Sequence, residues 1–286
     1  MITQSTSLTE CGSGSLFSAL SLGEALRRLG RRLLPTKLYA LGSAALDACL
    51  GIPSMGWRNY WDLKHSSHRH LIGQRLVCRI PSLAHPIGVR CGTTDGGTLI
   101  QTAVRHAYGK YLPVARVKFI IDAGANIGDT TAFYATQFPL ATVVACEPDP
   151  ENYSLLLENC KPYGDRVIPL KLAIWPRKSG LKLVSAERKT AVSVIEAPSD
   201  VRAGVAGISP MDLCSQLGTN SIDIFKCDIE GSETALFEGA CDDWLRITRT
   251  MYIEAHNARA HRAVFAAAER HNFKHRRYRG LYIFWK

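Results

Sequence analysis

Six residues able to do chemistry stand where apolar runs stop. Asp122 closes "FIID", Glu147 closes "TVVACE", and Asp228 follows "IDIFKC". Glu254 and His256 lie together in "MYIEAH", and Lys226 precedes Asp228 by two positions. Carboxylates at such tips can accept hydrogen bonds, hold a hard cation or take up a proton; an imidazole can do the last two. Between the first two acids runs the turn "GANIG", Gly124 to Gly128. Its glycines permit a sharp bend and close approach of backbone to a small polar molecule.

The spacing narrows what that molecule is. A pyrophosphate-binding turn needs G-x-G-x-x-G, and counted from Gly124 this chain offers Gly, Asn126 and Asp129. Glu147 stands nineteen residues after Gly128 at the tip of the next apolar run. A carboxylate there can accept both hydroxyls of one ribose. One sugar and no pyrophosphate fit S-adenosyl-L-methionine better than NAD. Asp122 before the turn also suits a ligand carrying a cationic sulfonium and an amino group.

Elements must hold these tips side by side. Short apolar runs predict strands at 117–122, 142–147, 166–172, 221–227 and 249–254. Helical spacing predicts helices near 128–138, 150–160, 209–217, 231–240 and 258–271. Such alternation predicts an α/β fold, a doubly wound, mostly parallel sheet with right-handed crossovers, whose ligands bind beyond the carboxyl ends of the strands. "FKHRRYRGLYIFWK" predicts an antiparallel hairpin at the sheet edge, turning near Gly280.

The chain divides, on this reading, into an N-terminal extension over 1–90 and a catalytic domain over 91–286. The extension is helical, then short-stranded from 75 to 90, and would cap the site and select the acceptor. A leucine stripe from Leu16 to Leu34, interleaved with Arg27, Arg28, Arg31 and Arg32, predicts an amphipathic helix. It would pack on the domain or on a second subunit, giving a homo-oligomer; peripheral contact with anionic lipid is the competing use. A second helix is expected from Pro35 to Leu50. The segment after Gly51, with Trp57, Trp61, His65, His68 and His70, reads as a solvated loop or lid.

Composition removes several classes. No run of apolar residues is long enough to span a bilayer, and the N-terminus lacks a signal-peptide layout, so the cytoplasm is the expected compartment. The nine cysteines are scattered with no CxxC, against a disulfide framework or a structural zinc. They read as small buried hydrophobes. The net charge of +10 is uneven: residues 1–117 hold 14 basic and 5 acidic side chains, and 118–258 hold 13 and 19. Basic flanks around an acidic centre suit RNA, anionic lipid or a phosphorylated substrate, or simply a solvated surface.

"FIIDAGANIGDTTAFYA", "VVACEPDPENYSLLLENC", "IDIFKCDIEGSETALFEGA" and "MYIEAH" resemble, in order, the successive blocks of FkbM-family methyltransferases over about residues 90–257. The resemblance implies a class I S-adenosylmethionine-dependent enzyme with a Rossmann-like seven-stranded sheet and a reversed last strand. It implies O-methylation of a sugar, glycolipid or natural-product scaffold, so the expected partner is a small-molecule or glycan substrate. Carried over by position, Asp122, Gly124, Asn126 and Gly128 form the cofactor loop. Thr130 and Thr131 open the helix near the methionine carboxylate, Glu147 holds the ribose, and Ala173 and Ile174 flank the adenine.

The candidate catalytic residues are His256, Asp228 and Lys226. Three roles stay open at these tips. Asp228, Glu254 and His256 can hold Mg²⁺ that lowers the pKa of the acceptor hydroxyl; His256 can be a general base without metal; or the groups only bond one another. Glu233 and Glu238 read as ordinary helix charges. An RNA methyltransferase and a non-catalytic scaffold are the rival readings. Nucleic acid is disfavoured, because "DIEG" stands where amino-directed enzymes carry [DN]PP[YF] and no RNA-binding module is recognisable.

Overall fold

The computed structural model describes residues 55–66, 68, 72–104, 108, 116–185, 192–197, 204–278 and 280–286, with isolated positions earlier in the chain. The helices expected at 16–34 and 35–50 lie outside the fully described stretches. The chain separates into two compact units that meet in sequence between Leu112 and Pro113.

The N-terminal unit contains α1 (Trp57–His65), a hairpin of β1 (Arg75–Cys78) and β2 (Ile87–Arg90), then α2 (Asp95–Leu99), which runs into a π-helical turn at Ile100–Val104. The loop expected after Gly51 is therefore helical over α1. Tyr60 and Leu63 are buried and fix one face of it. Asp95 accepts from the Arg90 backbone N–H and pairs with its guanidinium at 2.9 Å, joining β2 to α2.

The C-terminal unit opens with β3 (Phe119–Ala123), α3 (Asp129–Gln137), β4 (Thr142–Cys146), α4 (Pro150–Cys160) and β5 (Val167–Leu170). Four strands follow: β6 (Ala173–Ile174), β7 (Ser179–Ser185), β8 (Val192–Glu196) and β9 (Val205–Ile208). Then come α5 (Pro210–Gln216), β10 (Ile222–Cys227), α6 (Glu233–Glu238), α7 (Asp242–Arg246), β11 (Thr248–Glu254), α8 (Ala258–Arg270), β12 (Lys274–Tyr278) and β13 (Leu281–Trp285). Seven strands form one sheet in the order β12-β13-β11-β10-β3-β4-β5. Its members are parallel from β5 to β11, and β13 runs antiparallel to both neighbours. This is the seven-stranded arrangement with a reversed last strand that the resemblance implies, with the C-terminal hairpin where the sequence puts it.

Central strands are buried along their whole length, which is why they read as continuous apolar runs. One face of the sheet, with Ile121 and Phe225, packs against α5, α6, α7 and α8 around Trp244. The helix starts are marked by chemistry. Asp149 accepts from Glu151 and Asn152 at the start of α4, with Pro150 at the first position; Ser209 and Asn257 cap α5 and α8.

A second sheet, ordered β6-β9-β7-β8, is inserted between β5 and β10 and is not foreseen in the sequence reading. Ala173 and Ile174 belong to it, paired with Gly207 and Ile208, rather than ending the third strand. Trp175, Leu181, Val194 and Val205 form its own small core. Among the described residues no helix is long and apolar enough to cross a membrane, and the described cysteines are free and mostly buried.

One exception to the apolar rule in the strands is a pair. Lys226 of β10 stands opposite Asp122 of β3 in register, and their side chains approach to 3.0 Å. The side chains are 3% and 0% exposed. Removing one member of such a pair strands a buried charge, at a cost of about 3–5 kcal/mol, whereas replacing both with apolar groups is often neutral. Lys226→Met is thus expected to lose about 3–5 kcal/mol of unfolding free energy in denaturant titration. Adding Asp122→Leu should recover most of the loss; a double variant as unstable as the single would contradict the pairing.

Candidate functional site

The turn after β3 is built around that pair. Lys226 Nζ donates to the Gly124 carbonyl at 2.6 Å and reaches that of Ala123 at 3.4 Å. Asp122 accepts from the Thr131 hydroxyl at 2.6 Å, tying the turn to α3. Burial pulls the Lys226 pKa down, but the carboxylates of Asp122 and Asp228 more than offset it, so the ammonium stays charged. Gly124 has φ +74°, and a Cβ there would overlap the Asp228 carbonyl oxygen. Glycine is needed both for the conformation and for that close crossing. Gly128, at φ +86°, caps α3, where a Cβ would lie 2.7 Å from Leu156.

An open pocket of about 600 Å³ lies over the strand ends. Gly124, Asn126, Glu147, Ala173, Ile174 and Asp228 of the expected site line it, together with Pro148, Asn152, Val194, Ile229 and Glu230. Glu147 is its anchor. One carboxylate oxygen accepts from the Asn126 N–H at 2.8 Å and the other from the Asp149 N–H at 2.9 Å. Asp149 thus caps α4 with its side chain and fixes Glu147 with its backbone. Burial pushes the Glu147 carboxyl up to about 7, against the pull of those N–H groups. The Asn152 side chain also bonds this carboxylate, and desolvation makes hydroxyl donors welcome at the acceptor capacity that remains.

Seven expected site residues do not line the pocket: Asp122, Gly128, Thr130, Thr131, Lys226, Glu254 and His256. Asp122, expected beside a cationic ligand, spends its charge on Lys226 and Thr131 inside the sheet. Lys226, expected among the catalytic residues, supports the turn from below. Thr130 and Thr131 are buried in the first turn of α3.

The acids at the next tips form a second cluster. His256 Nδ1 bonds Glu233 Oε1 at 2.8 Å, and Nε2 stands 3.4 Å from both Asp228 Oδ1 and Glu230 Oε2. Glu233, read from sequence as an ordinary surface or packing charge of its helix, has a side chain that is 0% exposed. It shares the buried stripe of α6 with Leu236 and Phe237. That i, i+3, i+4 pattern is the signal that could have found it. Glu230 has φ +50°, and the left-handed turn it makes with Gly231 brings its carboxylate beside Asp228. Asp228, Glu230 and His256 offer ligand atoms within 4.8 Å of one another; Glu254 does not join them. The metal set Asp228, Glu254 and His256 is corrected accordingly. Glu254 ends β11 with its carboxylate beside the Gly280 turn. The histidines at 65 and 68 form no metal-ligating group among the described residues.

Burial depresses the His256 pKa, but the Glu233 hydrogen bond and charge, followed by Asp228 and Glu230, raise it to about 9. At neutral pH the ring is therefore a cation held between carboxylates rather than a free base. Burial raises the Glu230 carboxyl, partly countered by His256.

The family model described as the Methyltransferase FkbM domain matches residues 122–279. A curated relative, Methyltransferase 1 of Beauveria bassiana (strain ARSEF 2860), is 24% identical over 160 residues, covering 48% of this chain and 64% of the relative. The solved methyltransferase FkbM of Methylobacillus flagellatus KT is 18% identical, with a TM-score of 0.40, over 59% of this chain and 43% of that one. The fibrillarin pre-rRNA processing protein of Methanococcus jannaschii is 13% identical with a TM-score of 0.39, over 74% and 83%. The chain spans less than two thirds of the length of the first two.

The cluster sets a pH signature. The His256–Glu233 bond stabilises the fold in full below about pH 6.5, and the contribution fades as pH rises through about 9. Glu233→Gln removes the largest upward influence, so the His256 ring should then titrate well below 9, read by NMR of the imidazole resonances. An unchanged titration in the folded variant would contradict the geometry.

Proposed function

Because the chain belongs to the family of the Methyltransferase FkbM domain, we propose that it moves a methyl group from S-adenosyl-L-methionine to a hydroxyl of a sugar, glycolipid or natural-product scaffold. The single observation that carries the cofactor assignment is Glu147, a buried carboxylate on the pocket wall held by two backbone N–H groups. A carboxylate has about four acceptor sites, so beside these N–H groups and the Asn152 side chain it can still accept from a ribose hydroxyl. Ala173, Ile174 and Val194 supply an apolar wall for a flat base, and the Gly124 turn leaves room for the rest. The residues therefore fit the group that the family implies.

When bound, the cofactor supplies an electrophilic methyl group on a cationic sulfonium. This chain's residues do the remainder. Gly124 and Asn126 shape the floor, and Glu147 fixes the pocket's polar end. Asp228 and Glu230 face the pocket from the acceptor side. His256 stands behind them, and Glu233 anchors it. In this reading Glu230 takes the acceptor hydroxyl proton as the oxygen becomes bonded to carbon; burial raises its pKa, which makes it a better proton acceptor than an exposed carboxylate. His256 positions the two carboxylates and shields their repulsion. Alignment of the acceptor oxygen contributes the larger share of the rate.

A second reading has one observation in its favour, the close approach of three ligand atoms at Asp228, Glu230 and His256. There a divalent ion such as Mg²⁺ would replace the His256 proton and bind the acceptor hydroxyl.

Two outcomes check the proposal. Glu147→Ala should weaken S-adenosyl-L-methionine binding by about 1.5–3 kcal/mol, from lost hydrogen bonds to a charged group. In the unaltered protein, protonated Glu147 must lose its proton to accept from the ribose. Calorimetric affinity should therefore rise with pH up to about 7 and level off above it, while Glu147→Gln should show weak, pH-independent binding. Unaltered affinity in a folded Glu147→Ala would remove the ribose assignment. The acceptor is found by offering labelled cofactor with glycans, glycolipids, polyketides and RNA. Methylated hydroxyl product that survives chelator supports Glu230 as proton acceptor. Loss in chelator restored by Mg²⁺ supports the second reading, and label in RNA alone overturns the acceptor class.

A further inference from the structure

The exposed face of α1 has no part in the pocket chemistry. Trp57 and Trp61 lie one turn apart and are 66% and 43% exposed. Tyr60 and Leu63, each 2% exposed, anchor the buried side of the helix, and the Tyr60 ring meets the Trp61 ring edge-on at 5.4 Å. Single exposed hydrophobic residues are ordinary, but two indoles on one face of a nine-residue helix are not explained by core packing. The face is also ordered. The Trp61 ring lies 5.7 Å from His65, which lies 5.3 Å from His68, and His65 Nδ1 meets the Trp61 carbonyl at 2.8 Å.

The charges around this face are mainly cationic. Arg58 and Lys64 are exposed on the helix, with Asp62 as its exposed acid. Elsewhere in the same unit the β1 hairpin exposes Arg75, Val77 and Arg79. Indole rings favour the headgroup level of a bilayer, where the apolar body is buried and the N–H stays wet; lysine and arginine beside them favour anionic lipid. Protein interfaces also use tryptophan, but the surplus of cations chooses a surface of negative charge.

We propose that α1 docks the protein on an anionic lipid bilayer, with Trp57 and Trp61 entering the interface and Arg58 and Lys64 on the headgroups. The proposal goes beyond the methyl-transfer reading and does not depend on the acceptor. It places the protein at a membrane surface for part of its working life.

The full chain is mixed with phosphatidylcholine vesicles, with and without phosphatidylglycerol, and binding is followed by co-sedimentation and tryptophan emission. Binding should need the anionic lipid, shift emission to the blue and weaken as salt is raised. Trp57→Ala with Trp61→Ala should reduce partitioning at least about tenfold, while melting temperature and cofactor affinity stay unchanged. Trp61→Ala alone should give an intermediate loss, and Arg58→Gln with Lys64→Gln should remove the preference for phosphatidylglycerol. No binding to either vesicle overturns the proposal. So does binding that survives the double tryptophan variant, which would place the contact elsewhere in the chain. A dimer in sedimentation that the tryptophan variants dissolve, without vesicle binding, would show instead that a second copy covers the face.

Discussion

The site rests on one buried ion pair. Lys226 and Asp122 meet at 3.0 Å across neighbouring central strands, out of reach of water. A pair of this kind adds little net stability, since both charges lose their hydration. What it supplies is position. The ammonium also holds the Gly124 carbonyl, and the carboxylate also holds Thr131 of α3. One lysine thereby fixes the end of β3, the turn that leaves it and the helix that receives it. The Asp228 N–H bonds Ala123 O, so the tip of β10 is set by the same crossing.

From this crossing the two halves of the pocket follow. The Gly124 turn presents the Asn126 N–H to Glu147, and α4 begins with Asp149, whose own N–H completes the grip. On the other side β10 ends at Asp228, and Glu230 turns back beside it. His256 arrives from the end of β11 with Glu233 behind it. The balance of charge differs between the halves. The Glu147 half uses a single desolvated carboxylate, whereas the Asp228 half gathers three carboxylates around one imidazole.

Much of this was legible in the sequence because it is local. The five parallel strands are short, mainly apolar runs, and α4, α5 and α8 start after Asp149, Ser209 and Asn257, whose side chains can cap. Glu147 could be placed from the distance to the glycine turn. What escaped depends on tertiary contacts. Asp122 looked like a ligand group because nothing local shows that a lysine about a hundred residues later lies opposite it. Glu233 looked like an ordinary surface or packing charge, since a lone glutamate on a buried stripe needs its histidine partner to make sense. Glu254 and Glu230 exchanged places because a left-handed backbone at Glu230 overrides simple strand alternation. The small sheet from β6 to β9 escapes the sequence because β6 has only two residues and β7 and β8 carry exposed polar residues such as Lys182 and Glu196 among their apolar ones.

The central claim is that the Lys226-supported turn and Glu147 together form the cofactor seat. Amide hydrogen exchange with and without S-adenosyl-L-methionine tests it directly. The account predicts slower exchange in 124–128 and 147–152 on binding, with smaller change across the outer strands β12 and β13. Protection confined to other segments, or none at saturating cofactor, would contradict it.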